Sequence, residues 1–89
     1  MPRAFVLFNV ESDSEDEVLE ELKKIEGMQE AYVSYGAYDL IAIVKADTME
    51  KLLDAITNKM RKINKVRKTL TLVLMGEKLH KYTRVSRAR

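Results

Sequence analysis

Two short polar segments carry the side chains best suited to hold a small molecule. Thr69 and Thr71 are two residues apart in an alternating segment, so their hydroxyl groups fall on the same face of a strand. The segment from Gly36 to Asp39 brings a carboxylate, tyrosine and backbone amides to a loop. Carbonyl groups or Asp39 could accept from an ammonium group, and amides or hydroxyls could donate to a carboxylate, which would suit a zwitterion. Both segments also fit a structural role, because threonine favours strands and a short carboxylate can fix a turn.

Groups for catalysis or metal binding are scarce. The chain has no cysteine, which excludes disulfides and thiolate sites, and its one histidine, His80, has no acidic residue near it in sequence. Gly27 and Gly36 stand alone, without a glycine-rich phosphate loop. The acidic residues of the first helix are read as a solvated face rather than an acid/base pair or a Mg²⁺ site: Glu15, Asp16, Glu17, Glu20 and Glu21. We therefore predict no enzymatic activity and no cofactor.

Length and composition predict one small domain that associates with others. A chain of 89 residues leaves much of its surface exposed unless a partner covers it. With 46% hydrophobic and 34% charged residues it is neither disordered nor low in complexity. The sequence shows neither a signal peptide nor an apolar run of membrane-spanning length, so a cytoplasmic protein without membrane contact is predicted.

Charge is divided unevenly along the chain. Residues 1–58 contain thirteen acidic and five basic residues, whereas residues 59–89 contain one acidic and eleven basic residues. The two parts could neutralise each other within the fold or between subunits, or the basic part could contact nucleic acid. Residues 78–89 form a basic tail, interpreted as a frayed end, a strand that pairs with a neighbouring subunit, or an arm that touches phosphate.

The element order follows from a central hairpin and two amphipathic helices. Two β-favouring runs between Ala31 and Val44 fold about Gly36, which reaches positive φ without steric cost. In the first helix we expect a capping box at Ser14-x-x-Glu17 and a left-handed cap at Gly27. The second helix is expected to begin at Asp47 or Thr48, with one apolar stripe formed by Met49, Leu52, Leu53, Ile56, Met60 and Ile63.

These elements predict an α+β fold in residues 1–77. A strand from Arg3 to Val10 has two apolar faces, and a fourth strand from Val66 to Met75 has Val66, Leu70, Leu72 and Leu74 on one side. The order βαββαβ, supported by a weak internal repeat offset by 38 residues, gives a ferredoxin-like, four-stranded antiparallel sheet with both helices on one face. The other face is still partly apolar, so we expect a second sheet to pack on it and form a dimeric α+β barrel.

Several segments in this order resemble the effector-binding (RAM) domain of Lrp/AsnC regulators. Gly36-Ala37-Tyr38-Asp39 is similar to the family's Gly-x-Tyr-Asp turn, and Thr69-Leu70-Thr71 to its Thr-x-Thr strand. Phe5-Val6-Leu7 and Leu22 to Met28 also agree, so the similarity covers roughly residues 3–77. It implies dimers that assemble into octamers or decamers and bind amino-acid effectors between dimers. The ligand-binding residues it implies are Tyr35, Gly36, Tyr38, Asp39, Thr69 and Thr71.

One departure from that family shapes the functional prediction. Full-length members have an N-terminal helix-turn-helix domain, whereas the first strand here is predicted from residue 3. We therefore expect a stand-alone effector domain that does not bind operator DNA directly and could act by mixed assembly with full-length relatives. Two alternatives remain at this point: a small enzyme of the dimeric α+β barrel type, and a nucleic-acid accessory protein that uses Lys59 to Lys68 and the tail.

Overall fold

The computed structural model of the chain describes residues 1–74 and shows the predicted order of strands and helices. A π-helical segment extends the second helix. The elements are β1 (Arg3–Val10), α1 (Glu15–Leu22), β2 (Met28–Val33), β3 (Leu40–Lys45), α2 (Met49–Asp54), the π-helical segment (Ala55–Met60) and β4 (Val66–Leu74). The basic tail and His80 lie outside the described residues.

The four strands form one antiparallel sheet in the order β2-β3-β1-β4. The central strand β1 pairs with β3 on one side, where Phe8 lies opposite Leu40, and with β4 on the other, where Phe8 lies opposite Thr69. Each βαβ half thus crosses over one intervening strand, which is the ferredoxin-like arrangement expected from the sequence.

Both helices cover the same face of the sheet. Alternate residues of β1 and β3 are buried there and form one core with apolar residues of the helices. The strands contribute Ala4, Val6, Phe8, Val10, Leu40, Ala42 and Val44, and the helices contribute Val18, Leu22, Leu52, Ile56 and Met60. The alternating residues of the strands and the helically spaced residues of the helices therefore pack against each other in one interface, as predicted.

The opposite, open face of the sheet is also apolar across its middle. In the strand register, Ile41, Leu7 and Leu70 form one row, and Ile43, Phe5 and Leu72 form the next. Leu70 is 44% exposed and Leu72 is 50% exposed in the single chain. The prediction of two apolar faces is confirmed, and nothing in the described part of the chain covers this one.

The ends of α1 differ from the prediction. Ser14 is the N-cap residue, but its hydroxyl donates to the carbonyl of Ser12 at 3.4 Å and caps no helix amide, so the capping box does not form. The helix ends at Leu22, and Gly27 lies in the following turn rather than at the C-cap. The predicted left-handed cap at Gly27 is therefore wrong, although Gly27 does have a positive φ of 95°.

Gly27 is required instead by a close approach of two backbone segments. Its carbonyl accepts a hydrogen bond from the amide of Lys45 at 2.9 Å, which holds the turn after α1 against the end of β3. A Cβ atom on Gly27 would lie 2.2 Å from the carbonyl oxygen of Lys45. Only glycine fits this position without moving the backbone.

The second helix begins as predicted and then widens. The hydroxyl of Thr48 accepts from the amide of Lys51 at 3.1 Å, so Thr48 rather than Asp47 is the cap. From Ala55 to Met60 the helix is a π-helix, and the amide of Arg61 donates to the carbonyl of Ile56 at 2.9 Å. Leu53, predicted on the buried stripe, is 46% exposed, and Ala55 is buried instead.

A β-bulge changes the faces of β4. Asn9 lies opposite Lys68 and Val10 opposite Val66, so Arg67 is an extra residue in the ladder. Val66 therefore packs against the core, on the same face as Thr69 and Thr71, and not with Leu70 as the simple alternation predicted. The leucines of β4 remain together on the open face.

Candidate functional site

The loop between β2 and β3 is fixed to the end of β1 by Asp39. Its backbone amide donates to the carbonyl of Phe8 at 2.8 Å, and its Oδ2 accepts from the amide of Val10 at 2.9 Å. Its carbonyl closes the loop by accepting from the amide of Ser34 at 2.8 Å. Asp39 thus does hold the turn, which was one of the two roles considered for it, and its Oδ1 accepts no hydrogen bond from residues 1–74.

Asn9 is a second anchor of this loop that the sequence did not identify. Its side-chain Nδ2 donates to the carbonyl of Ala37 at 2.9 Å and lies 3.5 Å from Oδ2 of Asp39. Apart from Arg3, Asn9 is the one polar residue of β1. An isolated polar residue in an apolar strand was the signal from which this anchor could have been predicted. The loop is therefore held at both its middle and its end.

The tip of the loop faces away from the chain. Tyr35 is 97% exposed, and Gly36 has a φ of 120° with no atom within 4 Å of an added Cβ. Tyr38 is half-buried. Glycine is needed here for its backbone conformation alone, since nothing within the chain crowds it. The exposed backbone leaves room for a group from outside the chain to approach closely.

The two threonines lie near this loop but do not touch it. Thr69 lies opposite Phe8, which lies opposite Leu40, so Thr69 and the end of the loop are separated by two strand spacings, or about 10 Å. Thr71 lies opposite Val6 and is one step further from the loop. Both are half-buried on the helix-covered face, as expected for a shared face. The four loop residues and Thr69 lie at one end of the sheet and Thr71 lies nearer its middle, so residues 1–74 do not bring the six candidates into a single pocket.

Thr69 lines a small basic cleft of about 290 Å³. Its other lining residues are Arg61, Val66, Arg67 and Lys68. None of the residues of the β2–β3 loop lines it. Arg61 and Arg67 were not among the predicted site residues, although the sequence shows both within a run of basic residues.

A larger cleft of about 650 Å³ lies at the opposite end of the sheet. It is bordered by the turn after α1, the end of β3 and one side of α2. Three acidic and three basic residues line it: Glu26, Asp47, Asp54, Lys45, Lys51 and Lys59. The charges balance, and no predicted site residue lies there.

One tyrosine of the open face has a perturbed pKa. Tyr32 donates a hydrogen bond from its phenol to the carboxylate of Glu30, two residues earlier on β2. That hydrogen bond raises the pKa of Tyr32 above its ordinary value, and so does the repulsion between the Glu30 carboxylate and a deprotonated tyrosine. Tyr32 is therefore neutral at physiological pH and completes the row that contains Ile41 and Leu7.

Residues 1–74 contain no group of three or more His, Asp or Glu side chains placed to hold a metal ion. No helix in this part of the chain is both long and apolar enough to cross a membrane.

Replacing Asp39 with alanine is expected to loosen the loop and to lower the free energy of unfolding by about 2 kcal/mol. The substitution removes a hydrogen bond to a charged acceptor and leaves the backbone amide of Val10 without its partner. Urea unfolding measures this change, and hydrogen exchange of the Val10 amide locates it. Asp47→Ala is the matched control, since Asp47 is 69% exposed and lies 4.0 Å from Lys51. Equal stability of the two variants, or an unchanged Val10 exchange rate, would contradict the anchoring role.

Comparison with known proteins gives a consistent result. The model of the "Lrp/AsnC ligand binding domain" matches residues 3–84. An HTH-type transcriptional regulator from Pyrococcus furiosus is 34% identical over 73 residues, which are 79% of this chain and 49% of that protein. LrpA from Pyrococcus horikoshii is 40% identical over 63 residues, which are 71% of this chain and 44% of LrpA. The chain thus spans about half the length of the curated relatives it matches.

Solved structures share the fold. A hypothetical protein from Pyrococcus horikoshii has a TM-score of 0.80 at 40% identity, covering 86% of this chain and 93% of that one. A more distant structure, a transcriptional regulator from Neisseria meningitidis in complex with L-Met, has a TM-score of 0.75 at 12% identity and covers 89% of this chain and 53% of that one. The distant structure shows the fold alone. On the match over residues 3–84 and the Pyrococcus relatives, the chain belongs to the Lrp/AsnC family, as a ligand-binding domain related to transcriptional regulators.

Proposed function

We propose that this domain is a non-enzymatic binding module that responds to a free amino acid, bound at the loop between β2 and β3. The observation that carries the proposal is the loop itself. Asp39 and Asn9 anchor its base, while the side chain of Tyr35 is exposed, no atom lies within 4 Å of a Cβ added to Gly36, and Oδ1 of Asp39 accepts no hydrogen bond within the described residues. Such a preorganised surface binds a ligand without first having to order the loop.

The chemistry available at the loop matches both ends of an amino acid. Oδ1 of Asp39 could accept from the ammonium group, and backbone amides next to Gly36 could donate to the carboxylate. The hydroxyls of Thr69 and Thr71 lie too far from the same chain's loop to share one amino acid with it. We infer that they contribute from a neighbouring subunit, so that the site is completed only in an assembly. The Neisseria regulator bound to L-Met supports the ligand class through its fold.

The open sheet face supports a dimer as the unit of that assembly. Its central rows are apolar, and two copies packed face to face would cover them and form the α+β barrel. Dimers would then associate into octamers or decamers through their loop ends. We further propose that it joins longer relatives of the family in mixed assemblies.

The first test is the mass of the protein in solution by light scattering, alone and with each of the twenty amino acids at millimolar concentration. A ligand that binds only the assembled form stabilises that form by mass action. We expect one or a few amino acids to increase the mass from a dimer to an octamer or decamer, or to stabilise a ring already present against dilution. A dimer whose mass and thermal midpoint no amino acid changes would refute the proposal.

Two substitutions then test the site. Asp39→Asn keeps an oxygen that can accept from the Val10 amide but removes the charge, so it is expected to weaken amino-acid binding by about 10-fold or more while the loop stays in place. Thr71→Val removes one hydroxyl at constant shape and is expected to weaken binding as well. Thr57→Val, at an exposed position of the π-helical segment, is the matched control. If calorimetry gave wild-type affinity for both site variants, the proposed site would be wrong.

A further inference from the structure

The segment from Lys59 to Lys68 concentrates positive charge in the sequence, and its basic residues other than Lys59, which lines the larger cleft, lie around the turn into β4. It contains six basic residues and no acidic one: Lys59, Arg61, Lys62, Lys65, Arg67 and Lys68. None of the six forms an ion pair with a carboxylate in residues 1–74, whereas Lys23, Lys24 and Lys51 each do. We call these six residues the basic segment.

The backbone of the basic segment is held in one conformation. It turns from the π-helical segment into β4 through hydrogen bonds from Ile63 to Met60 at 3.3 Å and from Val66 to Ile63 at 3.2 Å. Lys65 has a φ of 80°, and its carbonyl accepts from the amide of Glu11 at 2.9 Å. The charges are thus carried by a turn fixed at both ends and tied to the loop after β1.

The cleft within this segment suits an anionic oxygen group. Its lining includes two guanidinium groups and an ammonium group, from Arg61, Arg67 and Lys68, and the hydroxyl-bearing residue Thr69. No carboxylate lines it. A guanidinium group binds a phosphate or a carboxylate through two parallel hydrogen bonds. Two guanidinium groups and one ammonium group carry more positive charge than one carboxylate neutralises, which favours a polyanion over a single amino acid.

The number of basic residues exceeds what a single phosphate needs. At the end of a helix one cation is explained by the helix dipole, but that effect fades beyond the last turn and does not extend to Arg67 and Lys68 in β4. From these observations we infer that the basic segment binds the phosphate backbone of double-stranded nucleic acid, with the cleft at Arg61 and Arg67 as its central contact. The binding is electrostatic and does not read sequence.

The test uses the full chain and a fluorescently labelled DNA duplex of random sequence, with anisotropy as the readout. Contact with three phosphates predicts that affinity falls about 40-fold between 50 and 200 mM salt. The variant Arg61→Glu/Arg67→Glu/Lys68→Glu is expected to lose at least about 10-fold in affinity at the lower salt concentration and most of the salt dependence.

The control variant carries the same change in net charge elsewhere. Lys23→Glu/Lys24→Glu/Lys51→Glu also replaces three basic residues, so both variants change from +2 to −4. Binding that falls in the basic-segment variant but stays within about threefold of wild type in the control supports the inference. Equal losses in both variants would show only a dependence on net charge and would overturn it.

Competition separates nucleic acid from other anions. Unlabelled duplex is expected to displace the probe, whereas millimolar inorganic phosphate or ATP is not, because several phosphates must bind at once. Full displacement by ATP, or binding to vesicles of anionic lipid that duplex does not compete for, would overturn the assignment. Circular dichroism melting of both triple variants confirms that each is folded, and Lys68→Gln with Arg67→Gln repeats the test without charge reversal.

Discussion

At micromolar concentration we expect the wild type to be a dimer and a chain carrying Leu70→Lys and Leu72→Lys to be a monomer. Both leucines are about half exposed on the open sheet face, next to Leu7 and Phe5. Leaving each one uncovered costs on the order of 1 kcal/mol, and a two-fold interface contains each of them twice. The sum, about 4 kcal/mol, corresponds to a dissociation constant about 1,000-fold higher, before the cost of burying charge is added.

The measurement is sedimentation equilibrium, with Leu53→Lys as the matched control. Leu53 is 46% exposed, like the two leucines of β4, but lies on α2, on the other side of the sheet. The control is expected to remain a dimer and both variants to keep the wild-type circular dichroism spectrum. A dimer that persists in the double variant, or that dissociates equally in the control, would show that the open face is not the interface.

Replacing Gly27 with alanine is expected to destabilise the fold by about 3 kcal/mol or more. The positive φ of 95° costs a residue with a Cβ on the order of 1–2 kcal/mol. The Cβ would also lie 2.2 Å from the backbone carbonyl oxygen of Lys45, which cannot rotate away as a side chain could. Relief of that contact requires the turn to leave β3 and breaks the hydrogen bond between the Lys45 amide and the Gly27 carbonyl, which adds roughly 1–3 kcal/mol.

Gly36→Ala is the control for this prediction because it places alanine at a positive φ without creating a steric clash. Gly36 also has a positive φ, of 120°, but an added Cβ would meet no atom within 4 Å. Urea unfolding should therefore show a loss of about 1–2 kcal/mol for Gly36→Ala and a clearly larger one for Gly27→Ala. Similar losses for the two variants would show that the contact with Lys45 relaxes at little cost.

The parts of the fold that could be predicted from the sequence depend on periodic burial. Val6 and Phe8 alternate with Phe5 and Leu7, and Leu52, Ile56 and Met60 recur every four residues, so the faces of the sheet and of the second helix followed from spacing. The interpretation of two apolar sheet faces followed in the same way.

The parts that could not be predicted depend on single departures from periodicity. The bulge at Asn9 and Val10 shifts the alternation of β4 by one residue and returns Val66 to the core. The π-helical turn places Ala55 inside and leaves Leu53 outside. Neither has a residue type that marks it, because both arise from how one element fits its neighbour rather than from local preference.

The candidate site also has parts that could be predicted from the sequence and parts that could not. Gly36 and Asp39 could be assigned to a turn from their residue types, although the hydrogen bonds of Asp39 with Phe8 and Val10 join distant parts of the chain and could not be predicted. The anchor at Asn9 could not, because it acts between residues 28 and 30 positions apart in the chain. Ligand binding by Thr69, Thr71 and the tyrosines stays a prediction, since the groups they would meet belong to another subunit or to the ligand.

The π-helical segment has a consequence for how sequences of this family are aligned. A turn closed between residues five apart holds one residue more than an α-helical turn, so the segment Ala55–Met60 can absorb a one-residue difference in length without moving the helix start at Thr48 or the start of β4. A relative with a regular helix here would align with a gap of one position at Thr57 or Asn58, both exposed. An alignment that leaves out this gap would shift every residue of β4 to the opposite face of the sheet.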